Sequence, residues 1–516
     1  MDHQQLIQSL QKLDDENNMV GIFSTVANAG LKISEALLVI NETLRQHRYR
    51  PAYIIALWLD TNRHSNIIIS VAICFGAILY NKPEEFPRGL KKLRQQAEKL
   101  SRKEWTVLFD TIIHPSLSGI VETLHHQPVI EPIVQQLIDF CKEYIPLFRP
   151  MWDMETPPQP LELDSLRQLA KQRAQLIRYP LPQPGLARPT RRVVCFMKDF
   201  YILHRITHAM NAYGWQATAY GTADWGIHLQ DDIRSVYHLG KEPPIDLLVV
   251  YTDQIIATPL QLKAFMLLIK QLRVINPQMK VVSVSCDAWG TRWGLSDGEP
   301  CCFRPDIYTI LEQVDAIWSS DSPSLPLWQD PRFTDKIFHS HLPHAGYKGS
   351  TDRPFHPVMF YCGDKIFPEH WHRTFWLTAA EQFRLPITAQ THLHLSDGLP
   401  PLESYRGHLN RLEESTCCLH FNRKQTLATI VTHRSFEAPI TGALLIQEFA
   451  PDMHRFFIPG EHYLEFNSMA ELRAIAQFIQ EEPEHADAMR KRGYAFAHQW
   501  YSDEKLIGYL DQRLWP

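Results

Sequence analysis

Through the first 148 residues apolar side chains return every three or four positions, and few segments alternate with period two. That spacing predicts an all-helical region. Its clearest unit covers residues 66–94: the apolar run IIISVAICFGAILY, a tight Asn81-Lys82-Pro83 turn, then an amphipathic stretch ending in KKLR. It reads as a helix–turn–helix hairpin, and residues 33–59 read as a weaker one. The apolar run is shorter than the roughly 20 residues a bilayer span needs, so it predicts a buried helix. Prolines then cluster from Pro146 to Pro189. The proline ring fixes φ and removes an N–H donor, so this stretch predicts a linker that wraps over the surface, with one helix at 163–177.

At Arg191 the period changes. Short apolar runs at 192–197, 216–220, 245–251, 280–285, 315–318 and 336–339 read as strands, with helices at 201–213 and 259–275. A second set follows, with strands at 356–361, 387–392, 417–421 and 443–447 and helices at 371–383, 404–412 and 426–438. The chain closes on helices at 470–481 and 485–500. Strands alternating with helices of ten or more residues indicate βαβ units and parallel sheets. The expected layout is a helical domain (1–148), a linker (149–190) and two Rossmann-like α/β domains (191–350 and 351–516) facing across a cleft. Ligands of such sheets bind beyond the carboxyl ends of the strands, so the chemistry is expected in the loops lining that cleft.

Composition narrows the function. With 45% hydrophobic and 21% charged residues the chain is an ordinary globular one, and a net charge of -5 argues against a nucleic-acid binder. Its nine cysteines include the pairs Cys301-Cys302 and Cys417-Cys418 but no CxxC, which predicts reduced, buried thiols. The polar, acidic start MDHQQLIQSLQKLDDENN carries no signal-peptide pattern, so a cytoplasmic location is expected.

The most informative segment is RSFEAPITGALLIQ, residues 434–447. In a strand–helix–glycine–strand setting, the Glu437 carboxylate can accept both hydroxyls of a ribose. Arg434, three residues earlier, lies on the same helical face, where a guanidinium can fork onto diphosphate oxygens. Gly442 permits a positive φ or a close backbone approach at the turn. The plainer alternative is an exposed Arg/Glu pair on a helix ending in a glycine cap; the setting favours the ligand reading.

This segment resembles the C-terminal domain of group 1 glycosyltransferases, in particular the spore-maturation-protein-like subgroup. The similarity continues through Ile458-Pro-Gly-Glu-His-Tyr-Leu-Glu465, Glu482-Pro-Glu and Met489-Arg-Lys-Arg-Gly493, and upstream through YRGHLNRLEESTCCLHFN at 405–422. It covers residues 355–505; over 192–345 it holds by architecture and isolated matches such as Cys286-Asp287-Ala288-Trp289, and it does not reach 1–150. The resemblance implies a GT-B fold, Glu437 on the nucleotide ribose, a nearby basic residue on the pyrophosphate, and a nucleotide sugar, UDP-linked in the first instance, as co-substrate with no cofactor. It implies a metal-independent transferase of the hexosyltransferase type. Some relatives carry a second glutamate eight residues before the ribose one; Thr429 stands there, so the stereochemical course stays open.

Other candidates come from position. A base for the acceptor hydroxyl must come within about 3 Å of it. Asp199 and His204, after the first strand, and Asp287, after the strand at 280–285, are candidates, with a helix cap and a turn residue as the plain alternatives. Asn422, Arg423 and Lys424 follow the strand at 417–421 and suit a diphosphate, and Gly363 follows the first strand of the last domain, where backbone can approach the nucleotide. The pairs His339/His341, His370/His372 and His392/His394 could face zinc but lack a well-spaced third ligand, and Asp231-Asp232 is not a DxD motif, so no metal is expected.

The expectation is a transferase moving a sugar from a nucleotide diphosphate to a hydroxyl of a polysaccharide, protein or small molecule. The hairpins at 33–59 and 66–94 are similar to tetratricopeptide units, so the helical domain could recognise a protein or glycan acceptor or join two copies. Two alternatives remain: a nucleotide-sugar 2-epimerase, and a non-catalytic scaffold on a GT-B-like fold.

Overall fold

A computed structural model of the chain describes residues 3–45, 48–61, 66–80, 84–101, 131–144, 151–173, 190–222, 229–251, 259–285, 305–320, 330–363, 371–390, 399–425, 428–429 and 431–516, with a few isolated positions between.

The helical region contains α1 (His3–Asp15), α2 (Met19–Asn28), α3 (Ile33–Arg45), α4 (Tyr49–Thr61), α5 (Ile67–Leu79), α6 (Phe86–Ala97) and α7 (Glu131–Tyr144). Successive helices α3 to α6 pack on one another as hairpins. The apolar run forms α5, buried from Ile69 to Ile78, and the Asn66 side chain caps it by accepting the Ile68 N–H at 2.9 Å. Among the described residues no helix is long and apolar enough to cross a membrane. The buried cluster that begins at Leu6 continues through Trp152 to Phe375, Trp376 and Phe466 of the last sheet domain. Trp152 meets Phe375 edge-on at 5.5 Å. The linker helix α8 (Leu163–Arg173) docks on that domain too, through Arg167 Nε to the Gly460 carbonyl at 2.7 Å.

The first sheet is built from β1 (Arg192–Lys198), β2 (Gln216–Thr222), β3 (Leu247–Val250), β4 (Lys280–Ser285), β5 (Ala316–Ser319) and β6 (Ile337–His339), all parallel, in the order β2-β1-β3-β4-β5-β6. Helices α9 (Tyr201–Tyr213), α10 (Leu229–Lys241), α11 (Pro259–Ile275) and α12 (Pro305–Gln313) accompany it. The second sheet has β7 (Met359–Cys362), β8 (Ile387–Gln390), β9 (Cys417–His420), β12 (Leu444–Glu448) and β13 (Leu464–Phe466), also parallel, in the order β13-β12-β9-β7-β8. Its helices are α13 (Trp371–Gln382), α14 (Pro401–Ser415), α15 (Arg434–Thr441), α16 (Met469–Glu481) and α17 (Pro483–Trp500). The last helix, α18 (Asp503–Leu514), crosses back to pack on α9. Two Rossmann-like sheets behind a helical region are the architecture the sequence predicts.

One predicted element is corrected. Residues 426–438 do not form one helix: β10 (Arg423–Gln425) and β11 (Ala428–Thr429) pair as a hairpin, and the helix starts only at Arg434. Thr426, Thr429, Ile430, Val431 and Thr432 are β-branched, and their restricted χ1 disfavours helix and suits extended chain.

Candidate functional site

Both sheets reverse their winding at the same place. In the first, β2 and β3 flank β1; in the second, β8 and β9 flank β7. A crevice opens beyond the carboxyl ends of the strands at each such switch point. The chain leaving β1 carries Asp199 and enters α9; the chain leaving β7 is Gly363. Helix α9 then packs against α14, joining the two corners along a seam.

On the first corner Asp199 and His204 form a pair, His204 Nε2 to Asp199 Oδ1 at 2.7 Å, with side chains 53% and 33% exposed. An added methyl at Gly221, on neighbouring β2, would lie 2.6 Å from the Asp199 Cβ, so the glycine makes room for this loop.

On the second corner, α15 is buried from Ser435 to Thr441 and carries Glu437. Gly442 ends it at φ 86°, and an added Cβ would sit 2.3 Å from the Ser350 carbonyl, so both conformation and space call for glycine. The Glu437 carboxylate is fully buried. Tyr405 donates to its Oε1 at 2.7 Å, and His408 Nε2 lies 3.2 Å from its Oε2. The other face of His408 meets the Cys362 thiol at 3.4 Å. Arg434 donates to the Cys362 carbonyl, and its Nη1 fills the space a side chain at Gly363 would need, 2.4 Å from an added Cβ.

A cation from the first domain completes the seam. Arg205, on α9 and fully buried, puts Nη1 3.4 Å from Glu437 Oε1. Its guanidinium lies over the Tyr405 ring at 4.0 Å and donates to the Leu342 and Pro343 carbonyls. Tyr201 stacks on Tyr405, 5.6 Å between centroids and 5° between planes, and its hydroxyl is 3.4 Å from His433 Nε2. At the edge, Arg406 Nη2 lies 3.2 Å from His208 Nε2.

The electrostatics follow from this packing. Burial would raise the Glu437 carboxyl, but the bond to His408 and the Arg205 guanidinium outweigh it and hold the group well below its usual range. Burial pushes His433 down to about 3. Burial would also lower His408; its bonds to Cys362 and Glu437 raise it instead. His341 and His344 stack at 4.9 Å beneath the seam and are pushed down by burial and by Arg205, His341 to about 3.

Of the residues singled out from sequence, the structure joins Asp199 to His204, and Glu437, Arg434, Gly442 and Gly363 to one another around α15. Asn422 is buried, its amide donating to the Glu448 carbonyl at 2.9 Å and its backbone N–H to the Glu448 carboxylate at 3.2 Å, so it braces the loop after β9 rather than facing open space. Asp287 and the side chain of Lys424 lie outside the described residues, as do His370, His392 and His394. Among the described residues no group of three or more His, Cys, Asp or Glu could hold a metal. Sequence reasoning missed Arg205, Tyr405, His408 and His433. The spacing Tyr405/His408 and His433/Glu437 on helical faces was a usable signal; nothing local marked Arg205, because its partner lies 232 positions away.

Residues 373–507 match the model of a family described as glycosyl transferase-like, a segment that contains Arg434, Glu437 and Gly442. No curated protein matches the chain. Among solved structures, the chain is similar to Anabaena HepE in complex with UDP and glucose, at 10% identity over 62% of this chain and 99% of that one, with a TM-score of 0.40. It is similar to sucrose-phosphate synthase from Thermosynechococcus elongatus at 11% identity, 63% and 99% coverage and a TM-score of 0.42. A Thermobaculum terrenum O-GlcNAc transferase mutant aligns over 99% of this chain and 97% of its own, at 12% identity and a TM-score of 0.34. These are loose likenesses; the site is defined by the matched segment and its geometry.

Proposed function

We propose that this protein is a GT-B glycosyltransferase of the hexosyltransferase type that moves a sugar from a nucleotide diphosphate, UDP in the first instance, to an acceptor hydroxyl. The observation that carries this is the Arg434–Glu437–Gly442 segment. It lies within the glycosyl transferase-like match and beside the switch point of the second sheet, while the Asp199–His204 pair stands at the switch point of the first. The spore-maturation-like subgroup is part of this reading.

In this mechanism the second domain holds the nucleotide, with Glu437 as acceptor for the ribose diol and Arg434 beside the diphosphate. Asp199 accepts from His204 Nε2 and so orients the ring, leaving Nδ1 to take the proton from the acceptor hydroxyl. The acceptor oxygen bonds to the anomeric carbon as the carbon–oxygen bond to the diphosphate breaks. The leaving charge meets fixed protein cations and N–H groups rather than a metal.

Incubation with UDP-, GDP- and dTDP-sugars tests this. Release of nucleotide from one donor, lost in Glu437→Gln, is the expected result. Turnover of no donor, with Glu437→Gln binding nucleotide as the wild type does, would leave the scaffold reading, which the complete burial of Glu437 favours. UDP-GlcNAc converted without release of UDP would make the protein an epimerase.

A further inference from the structure

A carboxylate that is to take a ribose diol must be reachable from the cleft, and Glu437 is closed off from solvent in this structure. It is fully buried, with Tyr405 and Arg205 on Oε1 and His408 on Oε2. The groups covering it come from two sources. Tyr405 and His408 stand on α14, in the same domain as Glu437, and travel with it. Arg205 and Tyr201 stand on α9, in the other domain. Arg205 is anchored on its own side by the Leu342 and Pro343 carbonyls, so it withdraws with that side when the seam parts.

We propose that Arg205 is a positioning residue that controls donor access: together with Tyr201 it latches the first domain over Glu437, and the nucleotide enters only when this latch is released. The proposal rests on the reading of Glu437 as the ribose carboxylate. It makes donor binding and opening of the seam one event. The nucleotide diol replaces the guanidinium at Oε1. The stacked Tyr201–Tyr405 pair and the Arg406–His208 contact hold the same seam, so the latch has a rim as well as a centre.

The test is calorimetric titration of UDP, GDP and dTDP into the full-length protein and into Arg205→Met, Arg205→Lys, Glu437→Gln and the double variant R205M/E437Q. The expected result is that Arg205→Met binds one nucleotide at least tenfold more tightly than the wild type. Arg205→Lys falls between the two, and both proteins carrying Glu437→Gln lose that binding. Equal or weaker binding by Arg205→Met, with Glu437→Gln still impaired, overturns the latch and leaves the donor reading standing. Glu437→Gln binding like the wild type overturns the donor reading itself, and so does the absence of binding in every protein. Should Arg205→Met fail to fold, a second arm decides. The double variant His208→Cys/Arg406→Cys, at the edge of the seam, is joined by a reducible bis-maleimide, with linker-treated wild type as control. Nucleotide binding lost on linking and regained on reduction supports the latch; binding unchanged by the link overturns it.

Discussion

His204 and Arg205 are consecutive on α9, yet they serve two regions built on opposite principles. His204 is a third exposed and paired with the half-exposed Asp199, so its ring stays in reach of water and of any hydroxyl that enters the cleft. Arg205, a step of about 100° further round the helix, is fully buried between a carboxylate, an aromatic face and two carbonyls. A group that must exchange protons has to remain accessible, whereas a charge that must hold two domains together works best where water does not screen it. On the proposed reading, the helix divides these tasks between neighbouring residues.

If that division is real, His204→Ala lowers kcat by about 10²- to 10⁴-fold, the usual contribution of a positioned base. It leaves stability within about 0.5 kcal/mol, as for other exposed substitutions. Steady-state kinetics beside thermal melts check this, and a large stability loss would erase the contrast. Arg205→Met should do the reverse to the fold. Leaving Glu437 buried without its cation costs about 3–5 kcal/mol in chemical denaturation, and the double variant R205M/E437Q should recover part of it. Additive losses would show that the two groups do not interact.

Acid sharpens the contrast further. His341 and His433 sit near 3 in the folded protein against about 6.5 when unfolded, and His462 near 4. Between those values the unfolded chain binds the extra protons, so stability is intact above pH 6.5 and falls as pH drops towards 4. Each histidine contributes up to about 1.4 kcal/mol per unit. His408, raised in the fold, opposes this only above its unfolded value, since its stabilisation is full at low pH and is lost as pH rises through the folded value. Melting temperatures at pH 7.5, 6.5, 5.5 and 4.5 should decline through the last three; a flat profile would mean the seam histidines are hydrated. The smallest effect is expected from Tyr201→Phe, which removes a 3.4 Å contact to His433 but keeps the stacked ring. It should cost about 0.5–1 kcal/mol in the same denaturation assay.

Much of the fold was readable along the chain because its signals are local. The helix Tyr201–Tyr213 and the strand Lys280–Ser285 follow from apolar spacing and a stop at Gly214. The apolar spacing before Arg434 fits a helical period, but residues 423–425 and 428–429 pair as a hairpin and the helix starts only at Arg434. Around the site, the segment 434–447 was legible as a motif, and Gly442 as its necessary turn.

The sequence by itself determined the elements, the two alternating α/β sets, and the glutamate, arginine and glycine on which a donor site can be built, since each depends on neighbours within about a dozen positions. Only the tertiary structure decided that Asp199 and His204 face each other and that Gly363 yields its space to Arg434. It alone decided that Glu437 is closed over by an arginine from the other domain. The first two contacts form within one sheet domain each, whereas the last depends on how two separately wound sheets meet, and no local periodicity encodes the distance between residues 205 and 437.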